Sequence, residues 1–331
     1  MSLQGFTRLC VIASALALIV LIDGVYLRLA QVGLSCPHGP GCYGPILARA
    51  DGGQPAQQAA QDLGAWHEPL HRRAEGLLGL SVLAIAVVAW RRRQRPGQRL
   101  LLPIVVLLLV SLQAAFGIWG ATVVSAQLMI TAELLAGLTT AALLWWLALR
   151  HGGLFTGYAR PLLGNRRASF GAWVVLGVLL LYAQLFLGAW VSSNGAAFEC
   201  ADFPLCQGEL FPALALEEAL RLWPAPGAEA SGLALDARVT IHLLHRLGAV
   251  VLLLYLGGLS IWLLRGAHDA RLKAVGGALG LVLTAQIGAG IANVLLGLPL
   301  IVAVAHSAGA ALLLLTLVSV YHVTRPPRSA V

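Results

Sequence analysis

Charge is scarce in this chain. Only 11% of its 331 residues are Asp, Glu, Lys or Arg, while 59% are hydrophobic and the mean hydropathy is +0.82. No soluble globular domain needs that much apolar surface, so a water-soluble fold is excluded. The short alternating segments of about ten residues that mark a transmembrane β-barrel are also lacking. The apolar stretches are instead continuous and near the length that spans a bilayer as a helix. Eight are legible, at about 8–29, 70–90, 100–121, 127–149, 168–192, 240–264, 272–294 and 299–322. In lipid every backbone polar group must pair internally, so these spans are helices. No cleavable leader stands out: the first run is long enough to span and seven more follow, so it is expected to be a retained helix.

Acid is scarcer than base, and the formal net charge is +8. The positions of the arginines argue for a membrane rather than a nucleic acid. Arg91, Arg92, Arg93, Arg95 and Arg99 follow span 2, and Arg150, Arg160, Arg166 and Arg167 follow span 4. Arg265, Arg271 and Lys273 follow span 6, and Arg325 and Arg328 follow span 8. The alternate loops hold only Arg49, Arg221 and Arg238 away from the span ends. The positive-inside rule then puts both termini in the cytoplasm and turns loops 30–69 and 193–239 outward. The lipid bilayer is the expected partner, and nucleic acid is not.

Cysteine is sparse as well, with five in all. Cys10 is alone within span 1 and reads as a small core residue. The other four fall in the outward loops as Cys36/Cys42, in "GLSCPHGPGCYG", and Cys200/Cys206, in "FECADFPLCQG". An outward loop is oxidising, so disulfides persist there, and a turn containing Pro or Gly closes this spacing easily. Metal ligation by each pair is the rival reading. Neither loop has a second Cys/His pair at zinc-like spacing beside it, although His38 lies inside the first.

The chain also reads as written twice. "DGVYLRLAQVGLSCPHGPGCYG" (23–44) aligns with "LGAWVSSNGAAFECADFPLCQG" (187–208), so Gly24 meets Gly188 and both cysteines coincide. Beyond the loops, His71-Arg72 meets His245-Arg246, Gln113 meets Gln286, Gly117 meets Gly290, and Glu133 meets His306. The expected fold is an all-α integral membrane protein of eight transmembrane helices, arranged as two tandem four-helix bundles in a parallel internal repeat. The first half is 1–150, a basic cytoplasmic linker is 151–167, and the second half is 168–331.

Ionisable residues inside spans are costly and mark functional sites by default. Here they are Asp23, Glu68, His71, Arg72, Arg73, Glu75, Glu133, His242, His245, Arg246 and His306. In the second half, His245 opens span 6 and His306 lies about two turns into span 8. Two histidines on different helices of one bundle can approach one iron from opposite faces. Arg246, next to the first, suits a heme propionate, because guanidinium binds carboxylate bidentately. The bland alternative is two isolated polar residues bonded to carbonyls. The first half keeps His71-Arg72 but carries Glu133 at the partner position. Glu68, His71 and Glu75 share one helical face, which suits acid/base work, a proton relay or an open metal site. Packing ion pairs among these carboxylates, Arg72 and Arg73 are the alternative.

Together "VYLRLAQVGLSCPHGPGCYG", "EPLHR", "GAWVSSNGAAFECADFPLCQG", "LLHRLGA" and "QIGAGIANVLLGLPLIVAVAHSAGAALLLL" resemble the heme A synthase family over nearly the whole chain. The resemblance implies an eight-span, two-half oxidoreductase in a bacterial-type inner membrane. Such an enzyme oxidises the C8 methyl of heme O to a formyl by two successive hydroxylations with molecular oxygen. It implies heme b held by His245 and His306 in the second half, and substrate heme O in the first half near His71, Arg72 and Glu133. Glu68 matches the family's E-x-x-H-R glutamate and is assigned a catalytic role with His71, while Cys36 and Cys42 match its outward cysteine pair, tied to disulfide or thiol redox chemistry. Heme O synthase and cytochrome c oxidase assembly are the implied partners, and the electron donor is unidentified. The chain departs from the family's pattern at Glu133, where histidine is usual, and at His38-Gly39, where Asp-Trp is usual. The competing readings are a non-enzymatic membrane b-type cytochrome and a heme-binding carrier that has lost hydroxylase activity. The first predicts heme ligands near both faces, whereas these cluster on the outward side. A carrier built like known transporters would show matched broken helices at mid-membrane, which the sequence lacks.

Overall fold

The protein is described here by a computed structural model that covers residues 3–34, 54–94, 99–119, 125–152, 167–222, 233–266 and 270–324. The long helices are α1 (Leu3–Leu34), α2 (Gln54–Arg91), α3 (Leu101–Trp119), α4 (Ala126–Gly152) and α5 (Arg167–Ser193). A 3-10 turn at Ala196–Phe198 and the short α6 (Leu216–Ala219) follow, and then α7 (Leu235–Gly266), α8 (Ala270–Leu295) and α9 (Leu300–Thr324). Among the described residues there is no β-strand, only an isolated bridge between Cys206 and Glu209. Seven helices are long and apolar enough to cross a membrane, and the remaining expected span forms α3, which is apolar over the shorter stretch Leu101–Gly117.

Helix ends differ most from the expected loops in the first outward loop. The sequence reading runs the first outward loop to residue 69, yet α1 continues to Leu34 and α2 begins at Gln54 and passes through Pro69. Proline removes one intrahelical hydrogen bond but does not forbid a helix whose other bonds hold. The polar composition before Pro69 marks where the lipid-facing part begins, not where the helix begins. Cys36, Cys42 and His38 lie outside the described residues.

The helices pack as two rings. α1 touches α2 and α4, and α3 closes the ring between α2 and α4. In the second set α5 touches α7 and α9, and α8 lies between α7 and α9. α1 buries a stripe at helical spacing (Phe6, Cys10, Ala13 and Ala17), and the two alanines let its backbone approach α4 and α2 closely. Cys10 is therefore a core residue, as the sequence suggested. α8 buries Leu272, Val275, Leu279 and Leu283 on one face. Its Gly276 and Gly280 sit against α7, where Ser260 donates to the Gly276 carbonyl at 2.7 Å.

The two rings meet through α4, α1, α5 and α9. Their interface is apolar, with polar pairs along its length. Trp145 Nε1 donates to Ser319 Oγ at 2.9 Å, Thr139 pairs with Tyr182 at 3.1 Å, Thr131 with Ser193 at 3.1 Å, and Arg28 donates to Ser192 at 3.0 Å. Such bonds are useful inside a bilayer because an unpaired polar group there has no water to turn to.

Above the second ring lies a small cap. Cys200 and Cys206 form a disulfide with Cα atoms 4.5 Å apart, and both are buried beside Val239 of α7. Cys206 and Glu209 exchange backbone hydrogen bonds around Gln207 and Gly208, both of positive φ, as a tight hairpin turn requires. The Asp202 carboxylate accepts from the Gln207 and Gly208 N–H groups at 2.8 Å each, and these bonds, the Gly208 one foremost, hold its pKa below the ordinary carboxylate range.

Candidate functional site

Two histidine clusters lie near the end of the bundle that carries this cap. In the second ring, His245 of α7 and His306 of α9 face each other across the bundle interior. Their ring centroids are 6.5 Å apart and their planes cross at 81°. A glycine from a neighbouring helix floors each ring. A Cβ added at Gly188 would lie 3.0 Å from His245 Cε1, and one at Gly290 would lie 3.1 Å from His306 Cε1. Of the glycines paired in the sequence alignment, Gly24, Gly188 and Gly290 each lie against an imidazole, and Gly117 does not.

One helical turn before each floor glycine stands a glutamine. Gln184 Nε2 lies 3.0 Å from His245 Nδ1 and donates to the His245 carbonyl at 2.8 Å. Gln286 Nε2 lies 3.4 Å from His306 Nε2. Each amide oxygen presses over a glycine three residues after the histidine, Gly248 or Gly309, where any side chain would collide with it. Gln184 Oε1, Gln286 Oε1 and His306 Nδ1 are buried without a hydrogen-bond partner. The sequence reading paired Gln286 with Gln113 but gave neither glutamine a role, and it missed Gln184. The Q-x-x-x-G spacing shared by α5 and α8 was the available signal.

The residues present fit a metal held between the two rings. Imidazole nitrogens bind transition metals at about 2 Å, so two rings sharing one ion place their centroids roughly 6 Å apart. Arg246 is turned differently from the sequence expectation. Its guanidinium donates to three carbonyls of the disulfide cap: Asp202 at 2.9 Å, Leu205 at 2.8 Å, and Cys200. It ties the cap to the helix that carries His245.

The first ring places His71 of α2 in a similar frame, since a Cβ at Gly24 of α1 would lie 3.1 Å from its Cε1. The partners differ. His71 Nδ1 lies 2.9 Å from Asp23 Oδ2, and its Nε2 lies 3.3 Å from Glu75 Oε1. His67 approaches the other Asp23 oxygen at 3.8 Å. Glu133, on α4, is an electrostatic neighbour of Glu75. Gly117, the position aligned with Gly290, has nothing within 4 Å of an added Cβ. Gln113 turns to Thr140 at 3.0 Å.

The shared helical face inferred for Glu68, His71 and Glu75 is split by side-chain direction. Glu75 reaches back one turn to His71, but Glu68 reaches forward to Arg72 at 2.9 Å, and both members of that pair are exposed. The structure thus brings together Asp23, His71 and Glu75, with Glu133 nearby, and sets Glu68 and Arg72 on the outer side of α2. Asp23 was missed as a partner of His71 because the contact joins α1 and α2 and no spacing rule reaches across it. Among the described residues no group of three or more His, Cys, Asp or Glu is arranged to hold a metal ion by itself.

The fold and site thus define a multi-pass helical membrane protein with two imidazoles facing each other inside a helix bundle. More particularly, residues 7–318 match the COX15-CtaA family, described as cytochrome oxidase assembly protein, and the chain belongs to that family. It is similar to a heme A synthase of Shewanella oneidensis, 35% identical over 328 residues and covering 95% of each chain. It is also similar to heme A synthases of Halalkalibacterium halodurans, 26% identical over 90% of each chain, and Shouchella clausii, 25% identical over 88% of this chain and 87% of the relative.

Proposed function

We propose that this protein is a heme A synthase-like membrane oxidoreductase that oxidises the C8 methyl of heme O to a formyl by two successive hydroxylations. The observation that carries the reading is the opposed pair His245/His306, each ring floored by a glycine and edged by a glutamine. These two residues would hold heme b. Bound there, heme b supplies one-electron transfer to the substrate side. The chain's own part is to fix both imidazoles, exclude lipid and water from between them, and cap the site with the disulfide loop held by Arg246.

The first ring would receive the substrate heme O beside His71 and Glu133, with Arg72, exposed on the outer side of α2, at its rim. Methyl to aldehyde removes four electrons from carbon. Each hydroxylation consumes one molecular oxygen, two electrons and two protons, and loss of water from the resulting gem-diol gives the formyl. Glu75 and Glu133 line the proton side of this pocket. Glu68, on the outer side of α2, is assigned to proton supply at the pocket mouth. The two rings form tandem halves at 1–150 and 168–331, with both termini cytoplasmic and the cysteine loops outward. Heme O synthase would supply the substrate and cytochrome c oxidase assembly would consume the product.

Co-expression with a heme O synthase, followed by heme extraction, tests this. Heme A or its hydroxylated precursor is the expected product. Heme O and heme b alone would support the second reading, a heme-binding relative without hydroxylase activity. The observation favouring that reading is Glu75 on His71 Nε2 with Glu133 where the other ring has His306.

A further inference from the structure

We propose that the seam between the two helical rings holds one hydrocarbon chain of an acidic phospholipid, whose phosphate is met by Arg8. The site stands apart from both histidine clusters.

A cleft of about 310 Å³ opens between α1 and α9, with Trp145 of α4 at its back. Ligand sites run from roughly 300 to 1,000 Å³, so the space suits a slender occupant. On α1 the lining is Val11, Ser14, Ala15 and Leu18, which share one helical face. Ala15 and, on α9, Leu312 are exposed at the mouth, while Ser14 and Ser319 are buried. Each polar side chain of the lining already donates its proton within the protein. Ser14 Oγ donates to the Ala141 carbonyl at 3.4 Å and Trp145 Nε1 to Ser319 Oγ at 2.9 Å. Ser319 donates to the Leu315 carbonyl at 2.9 Å, and Thr316 to the Leu312 carbonyl at 2.8 Å. No donor is left for a polar ring or a sugar, so the lining suits plain hydrocarbon. The cleft lies within the membrane-length apolar stretches of α1 and α9, where the surrounding solvent is lipid chains.

The end of the cleft selects the head group. α1 reaches the cap end of the bundle at Arg28, which bonds Ser192, so its first turns lie at the opposite end, where α9 also finishes. One turn before Val11 on the same face stands Arg8, exposed and in no ion pair with a described residue. His322 stands one turn beyond Ser319 on α9. The described parts of α1, α4 and α9 carry two acids, Asp23 and Glu133, and both belong to the histidine cluster. At 1.5 Å per residue they lie roughly 18 Å along their helices from Val11 and Trp145. Trp146 stacks on Tyr321 with ring centroids 5.5 Å apart at the Arg8 end, as aromatic residues do at head-group depth. A cation with no acid beside it, where an apolar seam reaches head-group depth, fits a phosphate whose ester carries the chain. In a zwitterionic lipid the head group's own cation offsets that attraction, so an acidic lipid is favoured.

The test reconstitutes the full-length protein in phosphatidylcholine vesicles carrying a trace of one photoactivatable probe, and maps the adducts by peptide mass spectrometry. The probes are phosphatidylglycerol with a diazirine in its acyl chain, phosphatidylcholine with the same chain, and a diazirine analogue of farnesol. Phosphatidylglycerol should label residues 11–18 and 312–319 more densely than the outer faces of α2 and α3, and about 5-fold more than phosphatidylcholine does. Arg8→Gln should make the two phospholipids equal. Ala15→Phe combined with Thr316→Phe fills the mouth and should abolish labelling of the seam. Elution volume and melting temperature report the folding of each variant, and the comparison of probes on the wild-type protein stands without them. Equal labelling of the wild-type seam by both phospholipids, or a seam labelled no more densely than α2 and α3, overturns the proposal. Seam labelling by the farnesol analogue that excess phosphatidylglycerol fails to displace also overturns it, and assigns the cleft to a prenyl chain.

Discussion

His71 and His245 occupy comparable frames in the two helical rings. Each is followed by an arginine in sequence, and each rests on a glycine of a neighbouring helix at 3.0–3.1 Å. What surrounds them is opposite in character. His245 meets the Gln184 amide and the His306 imidazole, and among the described residues no carboxylate pairs with it. His71 meets two carboxylates, with a third, Glu133, close behind. A backbone frame can thus be kept while its electrostatics are inverted. In low-dielectric surroundings that inversion decides which charge state and which ligand the site tolerates.

Four experiments would break or sharpen this contrast. The largest effect is expected from His306→Ala, which removes one of the two opposed rings. Loss of even an outer-shell partner of a ligand costs 10- to 100-fold in metal affinity, so loss of a ligand should cost at least about 100-fold. The reduced-minus-oxidised heme spectrum of purified protein should lose its bis-histidine bands. Retention of those bands would reject the pairing.

Next is Glu133→His, which should convert the first ring toward the second. Heme content per chain should be unchanged or higher, and a second low-spin bis-histidine signal should appear by electron paramagnetic resonance. Gly117 has open space around it, so an imidazole at position 133 meets no obstacle from that side.

The floor glycines give a smaller and directly comparable pair. Gly290→Ala places a methyl 3.1 Å from the His306 ring and should weaken second-ring heme binding several-fold. Gly117→Ala meets nothing and should leave heme binding alone while gaining roughly 0.5–1 kcal/mol of helix propensity. Equal effects at both positions would mean that the glycines do not seat the rings.

The smallest effect on heme binding is expected from the cap, whose variants act on loop stability. Cys206→Ser opens a seven-residue ring and should cost about 2 kcal/mol from the chain-entropy term alone. Arg246→Ala leaves three carbonyls without their donor and should loosen the same loop, so hydrogen exchange at Gln207 and Gly208 should rise in both variants. The fold holds the Asp202 carboxyl below its ordinary pKa. The loop stability it contributes is therefore complete above an unfolded value of about 3.9 and is lost only as pH falls through the lower, folded value. Exchange at those two amides should accelerate on acidification, and no faster at pH 8 than at pH 6 once the intrinsic rate is removed.

Much of this was legible in the residues. Continuous apolar runs located the helices, because a bilayer admits only helices of that length. Spacing and alignment brought out His245, His306 and His71, because an imidazole inside a greasy run is costly enough to stand out. Cys200 and Cys206 stood out because they fell in a polar loop at a closable spacing. The long charged side chains were not legible in this way. Glu68 was grouped with His71 by helical phase, yet side-chain direction carried it to Arg72 on the outer side. Arg246 was read as an anion binder, yet it is occupied by the backbone of the disulfide loop. Helical phase places a Cα, but a long side chain then follows whichever partner lies within reach.

The sequence by itself settled that this chain spans a membrane with helices and that it resembles one family from end to end, because hydropathy and motif spacing are local quantities. Only the tertiary structure decided what each histidine faces. Asp23 reaches His71 across 48 residues and Gln184 reaches His245 across 61, and both contacts exist only because separate helices pack side by side. Whether a buried imidazole has a carboxylate or an amide at its back depends on that packing.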